Sequence, residues 1–139
     1  HALAQTGIES ARIMTTKPPL SYAGAPWVVE QGIDLGAIRE STVIFSGNAL
    51  EAARAFPANV NVAATLSLAG AGPEKTLVEI RADPAAKGNC HEITVKGGTS
   101  TITAKVENVP DPANPKSSLL AAQSILVCLR RLTDTVVAG

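Results

Sequence analysis

Two alternating runs, "HEITVK" (91–96) and "STITAKVEN" (100–108), are split by Gly97-Gly98. Paired glycines supply the backbone angles of a tight hairpin, so adjacent antiparallel strands are expected at 91–96 and 99–107. Period two sets His91, Ile93 and Val95 on one face, with Glu92, Thr94 and Lys96 on the other. A hairpin with one apolar face must join a larger sheet, and three more segments read as its strands. "IESARIMTT" (8–16) alternates Ala11, Ile13 and Thr15 against Arg12, Met14 and Thr16. "STVIFSG" (41–47) is rich in β-branched residues, and "KTLVEIRAD" (75–83) sets Val78, Ile80 and Ala82 against Glu79 and Arg81.

Helices fall between and after these strands. Asn48 is placed to cap "ALEAARAF", which Pro57 stops. "NVNVAATLSLAGAG" (59–72) carries strand-favouring valines. Even so, Val62, Leu66 and Ala69 recur at helical spacing and Gly70 suits a helix end, so a helix is expected. "PKSSLLAAQSILVCLRRLTDTVV" reads as one long helix from 116 onward, with Pro115 near its first turn. Its stripe of Leu119, Ala122, Leu126 and Leu129 is expected to pack on the sheet. The segment "KPPLSYAGAPWVVEQG" (17–32) holds three prolines and reads as a long excursion covering an edge or a site. The order strand, strand, helix, helix, three strands, helix implies an α+β fold. Its sheet should be mixed and largely antiparallel, with helices on one face.

A chain of 139 residues has single-domain length. Lys and Arg total 12, as do Asp and Glu, so no overall field favours nucleic acid or an anionic membrane. Aromatics make up 3%, too few for base-stacking platforms, and the core is expected to be built from Ala, Val, Ile and Leu. No apolar run reaches the roughly 20 residues of a membrane span, and no signal-peptide pattern is seen. Cys90 and Cys128 read as free thiols in a reducing, cytoplasmic compartment, and one Cys-His neighbour pair is too little for a metal site. The chain opens "HALAQTGIES" without Met, as if Gly7 ended the last turn of a helix, so a fragment of a longer protein is expected.

Two places carry candidate chemistry. His91 begins the apolar register of its strand, where desolvation would hold it neutral and suit it to act as a base. The plainer alternative is a strand-end histidine bonded to a loop carbonyl. "NPKSS" (114–118) offers a helix N-terminus with Lys116, Ser117 and Ser118 as added donors for a carboxylate or phosphate. Its plainer alternative is capping by Asn114. Both pairs of readings stay open on the residues alone. "GAGPEK" (70–75) begins like a dinucleotide fingerprint, but Lys75 replaces its third glycine and the segment follows a helix.

Taken together, "FPANVNVAATLSLAG", "NCHEI" and "VENVPDPANPKSS" resemble the C-terminal catalytic domain of the L-aspartate dehydrogenase family. "TTKPP" and "SGNALEAARAFPAN" fit the same pattern, so the resemblance covers nearly all of the chain. It implies a catalytic and oligomerisation domain over 1–139, similar in fold to the catalytic half of dihydrodipicolinate reductase. A Rossmann domain would precede it in a two-domain dehydrogenase. It also implies NAD or NADP as cofactor, L-aspartate or oxaloacetate as substrate, a homodimer and a link to pyridine-nucleotide synthesis. His91 matches the family's active-site histidine, and Asn61 matches a nucleotide-contacting position. "NPKSS" matches Asn-Pro-Lys-Thr-Ser, which makes Asn114, Lys116 and Ser117 substrate-binding candidates. On this reading His91 and Lys116 face one cleft. Rival expectations are a non-catalytic oligomerisation module using Thr101, Thr103 and Lys105, and an imine reductase of related architecture.

Overall fold

The computed structural model describes residues 7–111 and 114–130. The chain divides into two compact units at the Glu107–Asn108 boundary. The expected helix ending before Gly7 lies outside the described residues.

The first unit is built on five strands: β1 (Ile8–Lys17), β2 (Thr42–Asn48), β3 (Thr76–Ala82), β4 (Cys90–Gly97) and β5 (Thr101–Glu107). They lie in the order β2-β3-β1-β4-β5, with β1 parallel to β3 and the other neighbours antiparallel. The Gly97-Gly98 hairpin forms with His91 opposite Val106 and Ile93 opposite Ala104. Alternation sets the two faces of the sheet. Ala11, Ile13, Thr15, Thr76, Val78, Ile80 and Ala82 are buried, whereas Arg12 and Leu77 between them are exposed.

Helices cover the buried face. α1 (Pro26–Glu30), α2 (Ala49–Ala55) and α3 (Asn61–Ala69) contribute Val28, Ala52 and Ala63 to one core with Ile13, Val78 and Ile80. Asn48 caps α2 in a reciprocal box: its Oδ1 accepts from Glu51 N at 2.9 Å, and Glu51 Oε2 accepts from Asn48 N at 2.7 Å. α3 closes as its spacing suggests, and Gly72 N donates to Ser67 O at 2.9 Å with a φ of 88° that suits glycine.

The expected all-aliphatic core is corrected. The four aromatic side chains form one edge-to-face chain. Trp27 meets Phe45 at 5.3 Å, Phe45 meets Phe56 at 5.6 Å, and Phe56 meets Tyr22 at 5.8 Å. Each such pair contributes about 0.5–1.5 kcal/mol beyond its buried area, so a low aromatic fraction hides a concentrated effect. A register shift between Val43 and Phe45 lets consecutive Ile44 and Phe45 both be buried, which strict alternation forbids. The proline-rich excursion supplies two of these rings. Its 3-10 turn (Pro19–Tyr22) and α1 each start with a proline, where no N–H is lost. Tyr22 Oη lies 3.3 Å from Thr15 O and 3.1 Å from Arg81 O, pinning the excursion to the sheet.

The second unit differs from expectation. Residues Asn114–Ser118 form a strand, β7, paired with β6 (Pro110–Asp111), and α4 runs Leu119–Arg130. The helix therefore does not start at 116. Pro115 has no N–H to give and its fixed φ also suits an edge strand, so proline near an N-terminus did not decide between the two. In α4, Leu126 and Leu129 are 53% and 56% exposed, so that part of the stripe is not buried. Helical apolar spacing shows a face with something to bury, not that the chain itself covers it. Leu119 and Ala122 are outside the residues whose side chains are described.

Candidate active site

The C-terminal end of β1 and the start of β4, which lie side by side, gather the groups with chemistry. His91 lies directly opposite Thr15 in the β1–β4 ladder and is 8% exposed. His91 Nδ1 is 3.1 Å from Thr15 Oγ1. The plainer reading, a strand-end histidine on a loop carbonyl, gives way to a side-chain bond inside the sheet's buried face. Burial first, and the nearby Lys17 charge second, hold His91 below its usual pKa of 6.5. A neutral imidazole is thus the resting form at neutral pH, and it is the form that accepts a proton.

Lys17 ends β1 two residues after Thr15, on the same face by strand alternation. Its Nζ donates to Asn59 Oδ1 at 2.9 Å and stands 6.0 Å from the Tyr22 ring centroid. Burial lowers its pKa from 10.5. Asn59 lies just ahead of α3, so the same contact ties β1 to the start of that helix. Asn61, the first residue of α3, is exposed there, and its side chain takes no hydrogen bond among the described residues. The cap position Val60 makes no side-chain cap bond either, leaving an exposed polar corner beside Asn59.

The sequence-derived candidates separate as follows. His91 lies with Thr15 and Lys17, and Asn61 sits two residues from the Lys17 partner Asn59. Asn114, Lys116 and Ser117 belong to the second unit, where their backbone is extended in β7. The free first-turn N–H groups expected at "NPKSS" are therefore absent there, because the helix begins at Leu119. Their side chains, and with them the expected shared cleft with His91, lie outside the described residues. Sequence reasoning gave Thr15, Lys17, Asn59 and Tyr22 no role. Period two already placed Thr15 and Lys17 on one face, but only the register across β1 and β4 reveals that this face is the one carrying His91.

Cys90 and Cys128 are free thiols. Burial raises the Cys90 pKa, which argues against a reactive thiolate beside His91. Alternation puts Cys90 on the opposite sheet face from His91, with Glu92, Lys105 and Glu107, where Lys105 Nζ approaches Glu107 at 2.9 Å. Among the described residues no helix is long and apolar enough to cross a membrane.

Comparison with known proteins identifies relatives of the whole chain. Residues 1–132 match the family described as "Aspartate dehydrogenase, C-terminal". An L-aspartate dehydrogenase of Methanosarcina mazei is 50% identical over 133 residues, 96% of this chain and 49% of that protein. L-aspartate dehydrogenase 3 of Bordetella bronchiseptica is 41% identical over 138 residues, 99% of this chain and 50% of that protein. The crystal structure of aspartate dehydrogenase from Thermotoga maritima superposes with a TM-score of 0.75 at 34% identity. That match covers 99% of this chain and 51% of the other. The chain spans about half the length of the curated relatives it matches. It belongs to the aspartate dehydrogenase C-terminal family.

Proposed function

We propose that this chain is the catalytic half of an NAD(P)-dependent L-aspartate dehydrogenase, with His91 as its proton-transfer residue. The observation that carries the reading is the buried, neutral His91, held on Thr15 at 3.1 Å in a chain of this family. A bound nicotinamide dinucleotide supplies the acceptor for the hydride that leaves Cα of aspartate. The amino nitrogen loses a proton, giving iminosuccinate. Neutral His91 takes a proton from water as its oxygen adds to the carbon of the protonated imine, then returns it to the amine. That amine leaves as ammonia while the carbinolamine hydroxyl gives up its proton to solvent. Oxaloacetate and ammonia result. A positioned acid–base of this kind contributes about 10²–10⁴-fold in rate.

The residues present fit one end of the dinucleotide. The exposed Asn61 side chain at the start of α3 is suited to a nicotinamide carboxamide, which needs a donor and an acceptor. "GAGPEK" lies between α3 and β3, the reverse of the strand-to-helix order that holds a pyrophosphate, so that group falls to a Rossmann domain elsewhere in the protein. Asn114, Lys116 and Ser117 are assigned to the substrate carboxylates. Isolated from such a domain, this chain binds cofactor weakly and does not turn over. Cytoplasmic placement and a role in pyridine-nucleotide synthesis follow from the same reading.

A homodimer is compatible with it. β5 is the outer strand of the sheet, and Thr101, Thr103 and Lys105 are exposed along it, which leaves backbone and polar side chains open to a second copy. Sedimentation of the intact protein tests that assembly, with a monomer at micromolar concentration counting against it.

The central test uses the full-length enzyme. His91→Ala should lower kcat about 100-fold or more while leaving NAD binding nearly intact. Wild-type turnover by that variant would remove the proton-transfer role.

A further inference from the structure

Lys17 is a half-buried cation with no anionic partner among the described residues. Among the described residues its Nζ donates to the neutral Asn59 Oδ1 at 2.9 Å and stands 6.0 Å from the Tyr22 ring centroid. Among the described residues no carboxylate lies within ion-pair distance of it, although Arg12 and Lys105 both have such partners. An ammonium carries three donors, and withdrawing it from water is costly unless a counter-charge arrives. The fold nevertheless fixes it firmly. Lys17 closes β1, its carbonyl accepts from Asp83 N at 3.0 Å, and the two prolines that follow stiffen the exit.

Position adds chemistry to that charge. His91 is paired with Thr15, so Lys17 is its diagonal neighbour on the same face of the adjacent strand. Diagonal neighbours in antiparallel strands stand roughly 7–8 Å apart, within the span of a long side chain and a small acid between them. The charged groups of β4 and β5, Glu92, Lys96, Lys105 and Glu107, lie with Cys90 on the opposite face, and Val106 is the β5 residue opposite His91.

We propose that Lys17 is a carboxylate anchor of the active site, binding one carboxylate of a C4 dicarboxylic acid whose α-carbon is thereby held at His91. The assignment rests on the dehydrogenase reading for its substrate but on the β1–β4 geometry for its site. Asn59 and the Tyr22 ring orient the ammonium without neutralising it, which leaves its charge for the ligand. The same charge adds to burial in holding His91 in its neutral form. A bound carboxylate would offset that charge and make it easier for His91 to take a proton when the reaction demands one.

The test needs binding as well as turnover. Succinate, an unreactive C4 dicarboxylate, is titrated into the full-length protein without cofactor while the His91 imidazole resonances are followed by NMR. Wild type should show a saturable shift. Lys17→Met should weaken succinate about 10- to 100-fold, the range of a charge-assisted hydrogen bond, and Lys17→Arg should recover most of it. Lys17→Met should also raise the His91 pKa, and Lys17→Arg should not. Retained His91 resonances in both variants check that the fold persists. In steady-state assays the Met variant should raise KM for aspartate and leave KM for NAD(P) unchanged. Wild-type succinate affinity in Lys17→Met, or no succinate binding by the wild type, overturns the anchor. Binding as expected without aspartate-dependent reduction of NAD or NADP overturns the dehydrogenase reading and leaves the anchor standing.

Discussion

Thr15 Oγ1 and His91 Nδ1 lie 3.1 Å apart at directly opposed positions of the β1–β4 ladder. One hydroxyl therefore sets which imidazole nitrogen stays available for chemistry. If Thr15 donates to Nδ1, Nε2 carries the ring proton; if Thr15 accepts, Nε2 is left as the base. The proposed proton abstraction during water addition calls for the second arrangement.

Thr15→Val keeps the volume and removes the hydroxyl from a residue that is 2% exposed. His91 Nδ1 then faces an apolar wall, and an unsatisfied buried polar group costs about 1–3 kcal/mol. Urea unfolding should show that loss as a lower midpoint with an unchanged slope. In the full-length enzyme kcat should fall as well, because the ring is no longer held in one tautomer. A Val variant as stable as wild type would show that the pair contributes nothing.

The lowered His91 pKa has a defined sign in stability. Between the unfolded value of 6.5 and the lower folded value, the unfolded chain binds more protons than the folded one. The contribution is intact above 6.5 and is lost as pH falls from 6.5 through the folded pKa, below which it stays lost. Denaturation series at stepped pH should show wild-type stability declining across that window more steeply than in His91→Asn. The acid limb of kcat/KM in the full-length enzyme should likewise lie below 6.5, since the proposed proton-transfer role uses the neutral imidazole. An acid limb above 6.5 would contradict the burial and Lys17 effects.

Gly47 is required by close approach. A Cβ there would lie 2.6 Å from Glu51 Oε2 and 2.9 Å from Phe45 Cζ. Gly47→Ala must displace the carboxylate that closes the Asn48 capping box or shift a ring at the centre of the aromatic chain. A cost of about 1–3 kcal/mol is expected from overpacking and cap loss. Glu51→Ala should lose part of the same stability, and the double variant should fall short of the sum, since both act on one cap. Additive losses would place the strain on Phe45 instead.

The elements that the sequence revealed are those whose cause is local. Alternation at Ala11, Ile13 and Thr15 and at Val78, Ile80 and Ala82 survives in the structure because each strand has one covered face. Asn48 and Glu51 work within a few residues and cap α2 as their chemistry dictates. The hairpin at Gly97-Gly98 also forms, but through a longer turn closed by Gly97 N donating to Ser100 O at 2.9 Å, with neither glycine at positive φ. Non-local causes were illegible. The shift that buries Ile44 beside Phe45 depends on β3, and the edge-to-face chain joins rings from Tyr22 to Phe56. "NPKSS" misled because Pro-Lys-Ser-Ser suits a helix start and a short strand alike, and pairing with Pro110–Asp111 decided it. His91 was visible by its register and by resemblance. Lys17 was not, since its meaning comes from Asn59, which is 42 residues away.

The extended backbone at 114–118 changes what the substrate-binding candidates there can do. Without the converging first-turn N–H groups of a helix, a carboxylate at this segment depends more on side chains, and Lys116 supplies the only charge among Asn114, Lys116 and Ser117. Asn61, by contrast, stands exposed at the start of α3 and carries the cofactor assignment. The two positions should therefore separate kinetically in the full-length enzyme. Lys116→Met should raise KM for aspartate about 10-fold or more and leave KM for NAD(P) alone, the loss expected when a charged hydrogen-bond donor is removed. Lys116→Arg should restore much of it. Asn61→Ala should do the reverse, raising KM for NAD(P) with little change for aspartate. Ser117→Ala should have the smallest effect, because a neutral hydroxyl contributes about half as much as a charged donor. Should Lys116→Met leave aspartate KM unchanged while Lys17→Met raises it, carboxylate recognition would belong to β1 and not to the "NPKSS" segment.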